Sequence, residues 1–385
     1  MRTVAIALLR PSSVPVMTST TMNAQIGTLP RHYERLGLVP NVIQPWEDGL
    51  RTAAADGTFE WWYFDAHLDD GSTVTVEFHT KPPYVSPSAP LTPFVLLTRT
   101  APDGTRVDHT YIADPAQFVA ATADCDVTIG PNTFRRDADG PNSYAIHVQI
   151  DDMVADFTLR PEVPPWRPET GHAFFGEREE QYIAWLPIVS RGAVDAVLTT
   201  TGTDGRTEHR SGTGYHDHNW GNIAPRKVLD HWYWGRARVG EYTVVTLMFV
   251  SHRKYDYAQL PAVMVAKDGA IIASAVGAER VGFADSDVVN HESTGVPVAR
   301  RLEYEIDNAD ARFVVIFEHR RDVSNLDFGA AGAYLRFTGD VSLEHHTRDG
   351  VSTVSGETLW ELLYFGDRTG SPSAAQREAL IGHQA

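Results

Sequence analysis

From Trp46 onward the chain is a succession of short runs in which apolar and polar residues alternate or β-branched residues cluster. They occupy Thr73 to Phe78, Phe94 to Thr98, Tyr144 to Ile150, Ala155 to Leu159, Ala193 to Thr199, Tyr242 to Phe249, Ala262 to Val265, Phe313 to Phe317 and Ala333 to Phe337. A period of two puts alternate side chains on opposite faces, so each run predicts a strand. Between the runs stand Asp103-Gly104, Asp139-Gly140, Asp204-Gly205, Asp268-Gly269 and Asp349-Gly350. Asp-Gly supplies the positive φ that tight hairpins need, which predicts antiparallel meanders. Helical periodicity is scarce, with one short turn expected over Asp114 to Ala121. An all-β fold of two barrels or sandwiches follows, because closing a sheet removes its exposed edges.

The pattern also repeats. Glu60-Trp61-Trp62-Tyr63-Phe64 aligns with Asp230-His231-Trp232-Tyr233-Trp234 as acid, aromatic ring, Trp, Tyr, aromatic ring. Each block precedes a glycine turn, Asp69-Asp70-Gly71 or Gly240, and then a β-branched run, Thr73-Val74-Thr75-Val76 or Thr243-Val244-Val245-Thr246. Each half closes on a similar strand, Arg210-Ser211-Gly212-Thr213 or Val354-Ser355-Gly356-Glu357. Opening, turn and closing signals in one order indicate an internal duplication. The expected organisation is an N-terminal, partly disordered tail over 1–40, β domains over 41–225 and 226–370, and a C-terminal tail over 371–385. The first half is the longer, and its excess falls in Pro161 to Gln181, around Pro164-Pro165-Trp166-Arg167-Pro168. Proline cannot donate to a ladder, so this stretch is expected to be a loop, either a lid or a surface insertion.

Composition narrows the partners. A chain of 385 residues with 42% hydrophobic content can bury two ordinary cores. A net charge of -17 argues against nucleic acid and anionic membrane. The single cysteine, Cys125, excludes an intrachain disulfide framework and a cysteine-built zinc site. The apolar run Val4 to Leu9 is cut by Arg10 and Pro11, too short for a secretory signal, and reads as a dispensable tail or a start upstream of Met17 or Met22. No stretch reaches the roughly 20 apolar residues of a membrane span. A soluble, cytoplasmic monomer or homodimer is expected.

Chemistry concentrates in Ser211 to Asn222 and Asp230 to Arg236. On extended strands His216, His218 and Trp220 share one face, and Asp217 and Asn219 the other. Asp230, Trp232, Trp234 and Arg236 lie together, opposite His231 and Tyr233. Two indoles, a carboxylate and a guanidinium can hold a flat conjugated molecule by stacking. Equally, the tryptophans can be core, with Arg236 paired to Asp230 or Glu60. His216-x-His218 could share an ion completed by Asp230 or His231, yet no further ligand stands at a familiar spacing, so no metal is expected. Glu77 and His79 share a face with Thr73 and Thr75, opposite Val74, Val76 and Phe78. Turned into a barrel, Glu77 would be a desolvated acid; turned to water, it would have no role. There is no G-x-S-x-G and no phosphate-binding glycine loop.

Glu60-Trp61-Trp62-Tyr63, with Asp217-His218-Asn219-Trp220-Gly221 at the end of the same unit, resembles the paired signatures of the AttH-like superfamily. That group includes bacterial carotenoid hydratases and fungal lipocalin-like Diels-Alderases. The resemblance covers about Trp46 to Asp367. It implies tandem lipocalin-like barrels, a hydrophobic pocket in or between them, and chemistry on polyenes without a cofactor. Asp217, His218, Asn219 and Trp220 inherit a place at the domain junction. No carboxylate aligns with the proton donor of the hydratases, since the second block offers Tyr233 and Gly235. The expected activity is cyclisation or isomerisation of a polyene or isoprenoid-derived intermediate. Asp217 or Glu77 would be the acid and His218 or Tyr233 the hydrogen-bonding group. Trp62, Tyr63, His216, Trp220, Trp232, Trp234, Arg236 and His79 would surround a hydrophobic small-molecule substrate. A double-bond hydratase and a non-catalytic lipid or pigment carrier are the alternatives.

Overall fold

A computed structural model of the protein describes residues 23–52, 57–83, 88–137, 142–201 and 205–366. The first sheet holds β1 (Ala24–Ile26), β2 (Phe59–Leu68), β3 (Thr73–His79), β4 (Phe94–Thr100), β5 (Arg106–Ile112), β6 (Phe118–Ala120) and β7 (Asp126–Ile129). It continues with β8 (Asn132–Arg136), β9 (Tyr144–Ile150), β10 (Met153–Pro161), β11 (His172–Phe175), β12 (Gln181–Thr200) and β13 (Arg206–Gly221). The second sheet opens with β14 (Leu229–Val239), β15 (Tyr242–Ser251), β16 (Gln259–Lys267), β17 (Ala270–Val276) and β18 (Val281–Asn290). It closes with β19 (Pro297–Asp307), β20 (Arg312–Asp327), β21 (Ala333–Thr347) and β22 (Gly350–Tyr364).

The strand orders are β5-β4-β3-β2-β13-β12-β10-β9-β8-β7-β6 and β17-β16-β15-β14-β22-β21-β20-β19-β18. In both, the opening strand lies between its hairpin partner and the closing strand, and all pairings are antiparallel. The expected duplication is therefore present in the topology, as a tandem of lipocalin-like sheets.

Alternation along the strands builds three cores. Trp62, Phe64, Ala66 and Leu68 of β2 enter the first sheet's own core with Val74, Val76 and Phe78 of β3. Tyr233, Ala237 and Val239 of β14 enter the second sheet's core with Leu335, Phe337 and Trp360. At the junction of the two sheets the opposite faces are covered as well. Trp185, Tyr215, Trp234, Val245, Leu247 and Phe249 form a third core between the sheets. Strands at the junction are thus buried on both faces, which accounts for the wholly buried β15, while strands such as β9 and β18 keep one face exposed.

The duplication runs in a different register from the one that aligns acid with acid. Gly212 pairs with Leu68, and a Cβ there would lie 2.1 Å from the His67 carbonyl oxygen. In the second sheet the ladder passes through Ala237 and Thr358, which brings Gly356 beside Val239. Leu68 therefore matches Val239. Counting back, Trp61 matches Trp232, Trp62 matches Tyr233, Tyr63 matches Trp234 and Asp65 matches Arg236. A one-residue slip exchanges the faces of a strand. That is why Trp62 lies in a barrel core while Trp232, its partner in the sequence alignment, faces the gap between the sheets.

Pro161 to Gln181 is neither a lid nor a surface insertion. Val163 and Trp166 are buried in the inter-sheet core, and His172–Phe175 is strand β11, paired with β1 and β12. Arg167 pairs with Glu47 inside the protein. Apolar contact and a buried ion pair turn the proline-rich stretch into a strap joining the sheets. Within the expected N-terminal tail, residues from Asn23 onward are built into the fold, as β1 and helix α1 (Pro30–Leu36). The turn expected at Asp114 is a 3-10 turn over Pro115–Gln117, and the chain resumes as β6 at Phe118. Asp103-Gly104, Asp268-Gly269 and Asp349-Gly350 join neighbouring strands, with Gly104 at φ 89° and Gly269 at φ 79°. Asp139-Gly140 and Asp204 lie outside the described residues, as does the C-terminal tail. Among the described residues no helix is long and apolar enough to cross a membrane.

The two matched glycines provide a test of the register. Gly212→Ala is expected to cost roughly 1–3 kcal/mol through overpacking against the His67 carbonyl. Gly356→Ala should cost less, because the nearest backbone oxygen there is 3.1 Å away. Denaturant midpoints of the two variants decide; equal losses would contradict the closer approach at Gly212.

Candidate active site between the sheets

The faces turned away from the barrel cores enclose a cavity of about 580 Å³. Trp61 and Tyr63 of β2 with Glu77 and His79 of β3 line it from the first sheet. Trp232 and Arg236 of β14, Tyr334 and Arg336 of β21 and Glu361 of β22 line it from the second. Strand parity selects them, since their chain neighbours Trp62, Phe78, Tyr233, Leu335 and Trp360 all belong to the barrel cores. The Glu77 and His79 face therefore points neither into a barrel nor to bulk water, but into the space between the two sheets. A wholly hydrophobic pocket is not what the structure contains. Seven threonines, Thr73, Thr75, Thr98, Thr100, Thr213, Thr338 and Thr358, join the charged groups in the lining.

Two hydrogen-bonded sets stand in these walls. In one, Arg236 and Asp65 form an ion pair across the sheets, with Arg236 Nε 3.2 Å from Asp65 Oδ2. Tyr63 donates to Asp65 at 3.1 Å and accepts from Arg336 Nη2 at 2.8 Å. In the other, the Glu361 carboxyl accepts from the Tyr334 hydroxyl at 2.7 Å and from the Trp232 indole at 3.4 Å. Burial pushes the Glu361 carboxyl above the usual carboxylate range, with Arg336 and these two donors opposing the shift. On the facing wall Glu77 is 2.8 Å from His79 Nε2. The His79 ring lies between Phe94 and Trp61, at 4.4 and 5.7 Å. The cavity thus offers an acid held in a sheltered site, a second carboxyl, hydroxyls, guanidinium groups and indole faces.

The residues of the Asp217 motif do not line this cavity. Asp217 is buried in the inter-sheet core, accepting from Trp185 at 2.7 Å, Tyr215 at 2.8 Å and Asn219 at 2.7 Å. Burial raises its carboxyl to about 7 despite those donors. His216 and His218 point the other way, into the first barrel. His216 Nδ1 lies 2.8 Å from the Tyr63 carbonyl, and its Nε2 is 3.2 Å from Asp48. His218 Nε2 lies 2.8 Å from Glu60, and the His218 ring stacks on Trp62 at 4.6 Å. Glu60 also accepts from the backbone of Arg51 and Thr52, at 2.7 and 2.9 Å. The two sequence signatures therefore clasp one another inside the first barrel. Trp220 packs there too and lines a smaller cavity of about 130 Å³. Tyr233 is in the second barrel core, where it accepts from the Ala299 backbone at 3.1 Å, and Trp234 packs against Tyr215 between the sheets. Neither Asp230 nor His231 approaches His216. Among the described residues, the donor atoms close enough to share a cation are those of Asp48, Cys125 and His216, all buried and within 4.8 Å of one another.

Residues 50–303 match the model of the Diels-Alderase-like family. The chain belongs to that family. It is 28% identical over 207 residues to the quinolone epoxide rearrangement protein asqO of Emericella nidulans, covering 49% of this chain and 53% of that protein. To the quinolone epoxide rearrangement protein penF of Penicillium thymicola it is 28% identical over 143 residues, covering 36% of this chain and 37% of that protein. The chain thus spans about half or less of the length of the curated relatives it matches. An AttH-like crystal structure from Nitrosomonas europaea superposes with a TM-score of 0.58 at 17% identity, covering 84% of this chain and 98% of that one. CghA gives 0.58 at 14% identity, covering 91% and 100%. Kievitone hydratase from Nectria haematococca gives 0.53 at 12%, covering 85% and 94%. These likenesses establish the fold shared across the Diels-Alderase-like chain.

Glu361, Tyr334 and Arg336 of this Diels-Alderase-like protein escaped the reading of its sequence. The signal was present as parity. Leu359, Glu361 and Leu363 share one face of β22, so Glu361 is a carboxyl flanked on its own face by two leucines. Tyr334, Arg336 and Thr338 likewise alternate with Leu335 and Phe337 in β21. Asp217 offers a test of its placement. Asp217→Ala should lose on the order of 3 kcal/mol by stranding three donors, whereas Asp217→Asn keeps most of the bonds. The folded carboxyl, at about 7 against an ordinary 3.8, binds its proton more tightly than the unfolded chain does. Its contribution to stability is therefore present below pH 4 and lost as pH rises through about 7. Denaturation across that range should show a flatter profile for Asp217→Asn; an unchanged profile would show that Asp217 does not titrate there.

Proposed function

We propose that this protein is a cyclase or rearrangement enzyme acting on a natural-product intermediate in the cavity between the sheets. Glu361 is the proton donor. The observation that carries this reading is a carboxyl in the cavity wall whose pKa burial has raised, bonded to Tyr334 and Trp232. A carboxyl whose pKa burial raises keeps its proton to higher pH than an ordinary one and can hand it to an epoxide or carbonyl oxygen, or to an alkene. Glu77, bonded to His79 in the facing wall, is the second carboxyl and takes a proton from the substrate carbon beside the one activated. One proton is given and one is removed, so substrate and product are isomers. Trp61 and Trp232 supply flat surfaces against which a conjugated chain or ring can be held in its reactive conformation. The reading agrees with the curated relatives, whose names record the rearrangement of a quinolone epoxide. Asp217, His218 and Tyr233 serve here as framework, holding the strands that carry the cavity residues. The threonines and charged groups of the lining favour a substrate bearing heteroatoms over a plain hydrocarbon polyene.

Purified protein should convert the metabolite that accumulates when its gene is deleted into a product of unchanged mass, read by liquid chromatography and mass spectrometry. Glu361→Gln should slow that conversion roughly hundredfold or more. Wild-type conversion should fall as pH rises through the raised pKa of Glu361, because only the protonated carboxyl donates. A product carrying oxygen from heavy-oxygen water would indicate a hydratase instead. A metabolite recovered unchanged would indicate a carrier.

A further inference from the structure

The charges around the cavity do not balance locally. In a chain of net charge -17, the lining holds six arginines, among them Arg236, Arg238, Arg321 and Arg336, against the four carboxyl groups of Glu77, Asp322, Glu357 and Glu361, the last of which burial disfavours as an anion. Most of these are spent. Arg236 is paired with Asp65, and Arg320 with Asp340 and Glu357. Asp322 is held by His291 and His319, each at 2.9 Å. Arg106 is bonded to Asp108 and to the Ser324 hydroxyl.

Arg336 is different. Its Nη2 is used by Tyr63 at 2.8 Å and stands 3.7 Å from Asp65, which fixes the guanidinium in place. Nε and Nη1 have no partner among the described residues, and the Thr338 hydroxyl two positions along the same strand face has none either. A guanidinium held through Nη2 still has N–H groups on Nε and Nη1 to donate to a carboxylate. At the mouth Arg238 and Arg321 are exposed and make no ion pair among the described residues. A cluster of one sign at the rim of a cleft raises the local concentration of oppositely charged ligands.

We propose that the cavity takes a substrate ending in a carboxylate, drawn in past Arg238 and Arg321 and gripped by Arg336, with its apolar remainder on Trp61, Trp232 and Leu363. This rests on the cavity being the substrate site, but not on which reaction follows. The carboxylate end fixes the position of the remainder relative to Glu361, which stands in the same wall.

Calorimetric titration of the full-length protein with phenylhexanoate and with phenylhexanamide separates charge from shape. At low salt the carboxylate should bind roughly tenfold or more tightly than the amide, and Arg336→Gln should reduce that preference to about twofold or less. Where circular dichroism shows that Arg336→Gln is unfolded, the surface double variant Arg238→Gln/Arg321→Gln carries the test. It should weaken the carboxylate several-fold, flatten its salt dependence and leave the amide unchanged. Equal affinity for the two probes, no binding of either, or a preference that survives in a folded Arg336→Gln each overturns the inference. Equal affinity would leave the cavity as a ligand site and the rearrangement reading intact. A carboxylate preference without turnover of the accumulated metabolite would support the inference while removing that reading.

Discussion

Asp65 and Arg236 occupy matching positions on the opening strands of the two sheets, and they meet each other across the interface. Both side chains are largely out of water, where an unpaired charge is expensive, so neither sheet can present this face alone. The equivalent positions just before them also face one another, Tyr63 against Trp234 at 6.3 Å. The sheets are therefore apposed about an approximate twofold, with an ion pair and an aromatic pair near its centre. Such a pair is weak evidence for net stability, but it strongly disfavours other ways of docking the same two surfaces.

The cavity is a consequence of that docking. Where the outer faces carry Val, Leu, Phe and Trp they close into a dry third core around Trp185, Tyr215 and Phe249. Where they carry Thr, Glu, Arg and Tyr they cannot pack without desolvating polar groups, and a space remains. The Asp65 carboxylate is the hinge between the two regimes, because through Tyr63 it also orders Arg336 on the cavity wall. The position of the cavity follows from the same arrangement, since its walls come from both sheets and neither barrel encloses it.

The two conspicuous sequence signatures have a role one step removed from this chemistry. Glu60 and His218 are hydrogen-bonded within the first barrel, and Asp217 gathers three donors in the inter-sheet core. These buried polar groups are bonded to one another, with His218 Nδ1 alone of their side-chain atoms lacking a hydrogen bond among the described residues. They pin β2 to β13 in one register, and that register decides that Trp61, Tyr63 and Asp65 face the second sheet. The proline-rich strap adds a further tie through Trp166, whose ring packs edge-on against Trp185 at 5.5 Å.

Sequence alone determined the elements that depend on near neighbours. Alternation located strands such as Tyr144–Ile150, Asp-Gly pairs located hairpins, and repeated landmarks revealed two copies of one β unit, because each of these is written in residues a few positions apart. It also gave correctly which residues share a face, as with Trp232, Trp234 and Arg236. What it could not give was where each face points. Trp62 and Trp232 align in sequence yet serve different sides, because register is fixed by long-range contacts such as Gly212 against the His67 carbonyl. Glu361 and Arg336 acquire a possible chemistry only when a second sheet covers them, and that covering joins residues nearly three hundred positions apart, as in the Tyr63 and Arg336 hydrogen bond. Alternation is a property of the chain; burial between sheets is a property of the fold.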